Sequence, residues 1–88
     1  MTPLLTVVIP AWNAEDYLAR ALDSVVDVGE VEVLVVDDGS TDGTAALAQR
    51  YVERFAGVRL LRKDNGGHGS AINTGLAHAR GEYIKVVD

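Results

Sequence analysis

The chain has 88 residues and a mass of 9.4 kDa, and at 48% hydrophobic and 24% charged residues it is composed like a globular protein with one modest core rather than a disordered chain. It has no cysteine and only two histidines, His68 and His78, which removes disulfides, thiol chemistry and a His-built zinc site. A net charge of −5 and a pI of about 4.8 exclude nucleic-acid binding as the main task.

Residues 4–9 are apolar and rich in β-branched side chains, so they read as a buried strand that Pro10 ends. The apolar stretch is too short to cross a membrane, and nothing basic precedes it as in a secretory signal, so the expected location is the cytoplasm. Asn13 then offers a helix N-cap, with Asp16 near the positive end of the dipole. Tyr17, Leu18, Ala21, Leu22, Val25 and Val26 follow at helical spacing, which predicts an amphipathic helix over 14–26 with those residues inward. Gly29 lies where a helix stop is expected.

A second strand is predicted over 31–36, followed by turn chemistry at Asp37-Asp38-Gly39-Ser40-Thr41-Asp42-Gly43. A second helix is expected over 42–55, burying Ala45, Leu47, Ala48, Tyr51, Val52 and Phe55. Residues 58–61 form a third strand, 62–69 a polar, Gly-rich loop, and 70–79 a third helix with Ala71, Ile72, Gly75, Leu76 and Ala79 inward. A fourth strand covers 82–87, and Asp88 follows it.

The βαβαβαβ order predicts an α/β fold with a Rossmann-like parallel sheet and helical crossovers. Ligands of such sheets bind beyond the carboxyl ends of the strands, here 10–13, 37–40, 62–67 and Asp88. Charge is uneven along the chain. Residues 1–44 carry nine acids against Arg20 alone, and residues 45–88 carry seven bases against four acids. Solvated faces account for that, and so does a site with a basic side for phosphates and an acidic side for hydroxyls or a metal.

The candidate residues keep two readings each. Asp37 and Asp38, in the loop beyond the second strand, brace a turn, or one of them accepts hydrogen bonds from an imide N–H or sugar hydroxyls or approaches a metal. Trp12 is a helix-entry contact or packs against a base. The loop of Asn65, Gly66, Gly67, His68 and Gly69 is a flexible turn or a backbone phosphate cradle. It is no dinucleotide fingerprint, because Ile72 stands where a small residue is needed, and no P-loop, because no Gly-Lys-Ser/Thr follows. His68 caps a helix, faces solvent or takes part in catalysis, and His78 is structural or exposed. Asp88 ends a strand beside the site as a metal or ribose ligand, or is simply the last residue.

Taken in order, Val8-Ile9-Pro10-Ala11-Trp12-Asn13, Val35-Val36-Asp37-Asp38-Gly39-Ser40-Thr41-Asp42-Gly43-Thr44, Asn65-Gly66-Gly67, Asn73-Thr74-Gly75 and Gly81-Glu82-Tyr83-Ile84 resemble the start of a family 2 glycosyltransferase of the GT-A fold. Trp12 replaces the tyrosine of the family's usual Pro-x-Tyr-Asn. The resemblance implies a nucleotide site formed by Pro10, Ala11, Trp12, Asn13, Asp37, Asp38, Gly39, Lys63, Asn65, Gly66, Gly67 and Asp88, with Asp38 on the base. The choice of Asp38 over Asp37 comes from the family pattern. Asp88 matches the first acid of the family's Asp-x-Asp motif, which implies a metal ligand for Mg²⁺ or Mn²⁺.

Residues 1–88 are therefore expected to form the N-terminal nucleotide-sugar-binding portion of a larger enzyme, with the catalytic base beyond Asp88. The implied reaction is inverting, metal-dependent transfer of a sugar from a nucleotide-diphospho-sugar, a UDP-sugar first, to an acceptor hydroxyl. The 88 residues alone are expected to be inactive and to self-associate through apolar surface, and a longer parent could sit at the cytoplasmic face of the membrane. Two other readings remain. One is a receiver-like phospho-signalling domain with Asp64 as phosphoacceptor. The other is a non-catalytic nucleotide-binding module.

Overall fold

The computed structural model describes residues 2–26 and 28–87. Its elements alternate as expected: β1 (Leu5–Ala11), α1 (Glu15–Asp23), β2 (Val31–Asp38), α2 (Thr44–Arg54), β3 (Val58–Lys63), α3 (His68–His78) and β4 (Tyr83–Val86). The four strands form one parallel sheet in the order β3-β2-β1-β4. The order matches the first four positions of the doubly wound 3-2-1-4-5-6 arrangement and not the 2-1-3-4-5 order of receiver folds, so the receiver reading fails on topology.

The sheet is covered unequally. Val7, Ile9, Val33 and Val35 face α1 and α2, where Leu18, Leu22, Ala48 and Tyr51 complete the main core. The other face carries a smaller cluster of Val8, Val36 and Ala71 under α3. The β4 side chains are all exposed.

Several boundaries differ from the sequence expectation, each for a local reason. β1 runs on through Pro10. The carbonyls of Leu4 and Val8 accept from the Tyr83 and Val87 N–H groups, so the even-numbered backbone of β1 faces β4. Pro10 lies past the end of β4, where the ladder asks for no N–H. β2 includes both Asp37 and Asp38, which the sequence put in a loop, because Arg62 and Lys63 of a longer β3 stand opposite them in register. α1 ends at Asp23 rather than 26: the N–H groups of Val25 and Val26 both donate to the Leu22 carbonyl and tighten the chain into a turn. α2 is trimmed to start at Thr44. α3 starts at His68, so His68 and Gly69 are helical and not loop. Tyr17 and Leu76, expected inward, are exposed, because each points off the sheet rather than onto it.

α3 sits close on the sheet because Gly75 lets it. A Cβ there would strike Val8 Cγ1 and lie 3.3 Å from Val36 Cγ2, and both valines are fully buried. Gly75→Val should therefore lower stability by about 1–3 kcal/mol through overpacking. A urea midpoint that drops at an unchanged m-value would register this, and an unchanged midpoint would contradict the close seating of α3.

Candidate functional site

The carboxyl ends of β1, β2 and β3 open onto a cavity of about 430 Å³. Pro10, Ala11 and Trp12 line it from the end of β1, Tyr17 from α1, and Asp38 from β2. Asn65, Gly67, His68 and Ala71 line it from the segment that leads into α3 and from α3 itself. Trp12 is 56% exposed and Tyr17 48%, so two aromatic faces are open to a ligand.

Strand alternation decides which acid reaches the cavity. Asp38 shares the α3 face with Val36, and Asp37 shares the α1/α2 face with Val35. Asp38 Oδ1 accepts from Lys63 Nζ at 2.7 Å and from the Gly66 N–H at 2.9 Å, and Oδ2 accepts from the Gly67 N–H at 2.8 Å. Asn65 Nδ2 donates to the Asp38 carbonyl at 3.0 Å. Asp38 thus organises the whole turn between β3 and α3. The Lys63 ammonium holds its carboxyl below the usual carboxylate range; burial works against this, and the Gly66 and Gly67 N–H groups add to the lowering. Gly39, at φ +75°, supports the same turn, since a Cβ there would lie 2.7 Å from the Asn65 nitrogen.

Asp37 is fully buried. Its Oδ1 accepts from the Ser40 N–H at 3.0 Å, while Oδ2 has no hydrogen-bond donor among the described residues and lies 3.5 Å from Arg62 Nε. It braces the turn after β2 and does not reach the cavity. Lys63 and Gly39 border a separate depression with Ser40, Arg62 and Asp64.

Asn13 does not cap α1. The cap position is Ala14, and Asn13 adopts a left-handed φ of 49°. Its Oδ1 accepts from the Thr41 N–H at 2.8 Å, and its own N–H donates to Ser40 Oγ at 2.9 Å. The two helix entries also cap each other. Glu15 Oε2 accepts from the Gly43 N–H at 3.1 Å, the Ala14 N–H donates to Thr44 Oγ1 at 2.7 Å, and Asp42 accepts from the Thr44 N–H at 2.9 Å. The loop carrying Trp12 is thereby fastened to the loop that follows Asp38.

Of the expected site residues, Pro10, Ala11, Trp12, Asp38, Asn65 and Gly67 come together at the cavity. Gly66 and Lys63 act there through Asp38, and Asn13, Asp37 and Gly39 shape the surrounding loops. Asp88 lies outside the described residues. Among the described residues no group of three or more His, Asp or Glu could hold a metal ion. Tyr17 was missed as a lining residue. Its signal is its place in the first turn of a helix that starts at the carboxyl edge of the sheet. His78 is exposed, with Nδ1 2.9 Å from the Thr74 carbonyl. No helix among the described residues is long and apolar enough to cross a membrane.

The family model described as "Glycosyl transferase family 2" matches residues 6–88. The uncharacterized glycosyltransferase EpsJ of Bacillus subtilis (strain 168) is 37% identical over 90 residues, which is all of this chain and 26% of that protein. The crystal structure of S. aureus TarS 1-349 in complex with UDP superposes with a TM-score of 0.87 at 32% identity, over 97% of this chain and 27% of that one. The mannosyltransferase PcManGT from Pyrobaculum calidifontis, in complex with GDP-Man and Mn²⁺, gives 0.83 at 33% identity, over 96% of this chain and 26% of that one. The chain thus spans about a quarter of the length of each of these proteins.

Proposed function

The chain belongs to glycosyl transferase family 2, and from that premise we propose that its cavity is the nucleotide end of a transferase site. The reaction would move a sugar from a nucleotide-diphospho-sugar to an acceptor hydroxyl, with inversion at the sugar carbon. The observation that carries this reading is Asp38, a carboxylate held ionised at the rim of a cavity that Trp12 and Tyr17 also line. Such a pairing suits a nucleobase: an aromatic ring packs on its face, and an acceptor meets an N–H on its edge. The UDP bound to TarS and the GDP-Man bound to PcManGT support a nucleotide donor.

Residues 1–88 would form the nucleotide-binding portion of the enzyme. They align with about a quarter of the proteins named above, so sugar transfer would require the remaining three quarters. Asp38 is not proposed as the catalytic base, since three donors already engage it. Divalent metal use is part of the proposal, supported by the Mn²⁺ of PcManGT. Asp88 would be the residue that holds Mg²⁺ or Mn²⁺, an oxygen ligand of the right kind for a cation that offsets charge on a departing diphosphate. A cytoplasmic location belongs to the same proposal.

Trp12 is the only tryptophan, so its fluorescence reports on the cavity directly. UDP should quench it saturably, and Tyr17→Ala should weaken that binding about tenfold, the usual scale for losing one aromatic face against a base. A folded chain that shows no saturable response to any nucleoside diphosphate would remove the nucleotide reading.

A further inference from the structure

The two edges of the sheet are built differently. β3 forms one edge, and three of its six residues are basic: Arg59, Arg62 and Lys63. Like charges along an edge repel a second edge of the same kind. β4 forms the other edge, with Tyr83, Ile84, Lys85 and Val86 all exposed and Lys85 the one charge among them. It contains no proline, and its register against β1 runs without a bulge, so the usual devices that blunt an edge are absent from it.

The ladder leaves backbone groups of β4 facing outward. The Tyr83 and Val87 N–H groups donate to the Leu4 and Val8 carbonyls, so the odd-numbered backbone of β4 faces β1. Alternation turns the N–H and carbonyl groups of Ile84 and Val86 away from β1, where a further strand would take them. The side chains divide between the faces. Ile84 and Val86 share the α3 side with Val8, while Tyr83 and Lys85 share the α1/α2 side with Val7.

We propose that this edge pairs with a second copy of the chain, β4 against β4, antiparallel about a two-fold axis, so that two four-stranded sheets become one. Outward groups must meet outward groups, so an even-numbered residue stands opposite an even-numbered one. Ile84 opposite the partner's Ile84 sets Tyr83 across from the partner's Lys85, and by symmetry this occurs twice. An ammonium then lies beside an aromatic ring on the α1/α2 side, and apolar side chains meet on the α3 side. Sliding one step, to Ile84 opposite the partner's Val86, would set Lys85 against the partner's Lys85. That like-charge clash selects the first register, and the charge fit of the first register selects a second copy as the occupant. The contact is self-complementary and closes at two chains. It is independent of the nucleotide reading, because β4 does not line the cavity.

Sedimentation equilibrium over a concentration series tests this. The mass should rise from 9.4 kDa toward twice that value and stop there. Ile84→Pro removes an N–H that β1 does not use, so it should leave the monomer folded by circular dichroism and abolish the dimer, while Ile84→Val should keep it. The chain has no cysteine, so a single introduced thiol reports on the register whether or not the proline variant folds. Ile84→Cys should form a disulfide-linked dimer under mild oxidation, since directly opposed Cα atoms lie about 5.5 Å apart. Lys85→Cys should crosslink about tenfold more slowly, because its copies are diagonal neighbours at about 7–8 Å. A folded chain that stays monomeric at every concentration would overturn the proposal and leave the edge to a different strand. Growth beyond two copies, dimerisation that survives Ile84→Pro in a folded chain, or equal crosslinking at both positions would overturn it as well.

Discussion

Asp38→Ala should abolish measurable UDP binding and loosen the turn between β3 and α3 in the same step. The carboxylate is the shared acceptor for Lys63 Nζ, the Gly66 N–H and the Gly67 N–H, all within 2.9 Å. Hydrogen bonds to a charged group contribute about 1.5–3 kcal/mol each. Losing the base contact and the order of the turn together should raise the UDP Kd by about a hundredfold or more. Amide exchange at Gly66 and Gly67 should accelerate in the variant, which separates this role from a base contact made by a free-standing acid. Asp38→Asn should recover little, because its amide group presents a donor to a turn that supplies donors. An alanine variant that binds UDP within threefold of the parent would remove Asp38 from the site. The pH dependence has a definite sign. The folded carboxyl titrates below its ordinary value of 3.8, so the turn stays intact above that value and is lost as pH falls through the lower folded value.

The largest effect on stability is expected away from the cavity, at Glu32→Ala. Glu32 is 6% exposed at the amino end of β2. Its carboxylate accepts from the Thr6 hydroxyl at 2.9 Å, the Arg80 N–H at 3.0 Å and Arg59 Nη1 at 3.1 Å, and the Thr6 hydroxyl accepts in turn from the Gly81 N–H at 2.8 Å. These bonds join β1, β2, β3 and the turn into β4. Removing one partner of such a buried group leaves the others unmatched and costs about 3 kcal/mol. In a domain of this size that should lower the melting temperature by more than ~10 °C. A variant melting within ~2 °C of the parent would show the network to be dispensable. Burial raises the Glu32 pKa, and the Arg80 N–H, Thr6 and Arg59 outweigh it, so the net displacement is downward from 4.5. Its contribution is complete above that value and is lost as acidification passes the lower folded value.

The alternation of strands and helices was legible because apolar runs and helical spacing are local signals, and so was the edge of the sheet where the cavity opens. What escaped the sequence depended on partners far along the chain. Asp37 and Asp38 read as loop because acids seldom end a buried strand. They stay in β2 because β3 sets Arg62 and Lys63 across from them, a register that no window of sequence contains. Asn13 has the chemistry of a cap, yet its acceptor serves Thr41, 28 residues away. Tyr17 fits the inward stripe of a helical wheel, but α1 begins at the edge of the sheet, and its first turn borders the cavity instead of the core. Glu32 showed in the sequence only as an acid within the predicted strand over 31–36, because its partners lie 26, 27 and 48 residues away.

The fastening of the two helix entries bears on how such a chain can change over generations. Asn13 holds Thr41, Glu15 holds Gly43, and Ala14 holds Thr44, so residues 13–15 and 41–44 keep their spacing only as a matched set. An insertion or deletion in either stretch would slide three bonds out of phase at once. Drift at these positions should therefore proceed by paired exchanges that preserve donor and acceptor, while the neighbouring faces of α1 and α2 vary one residue at a time. The two segments should therefore change as a single unit, although 25 residues separate them in the chain.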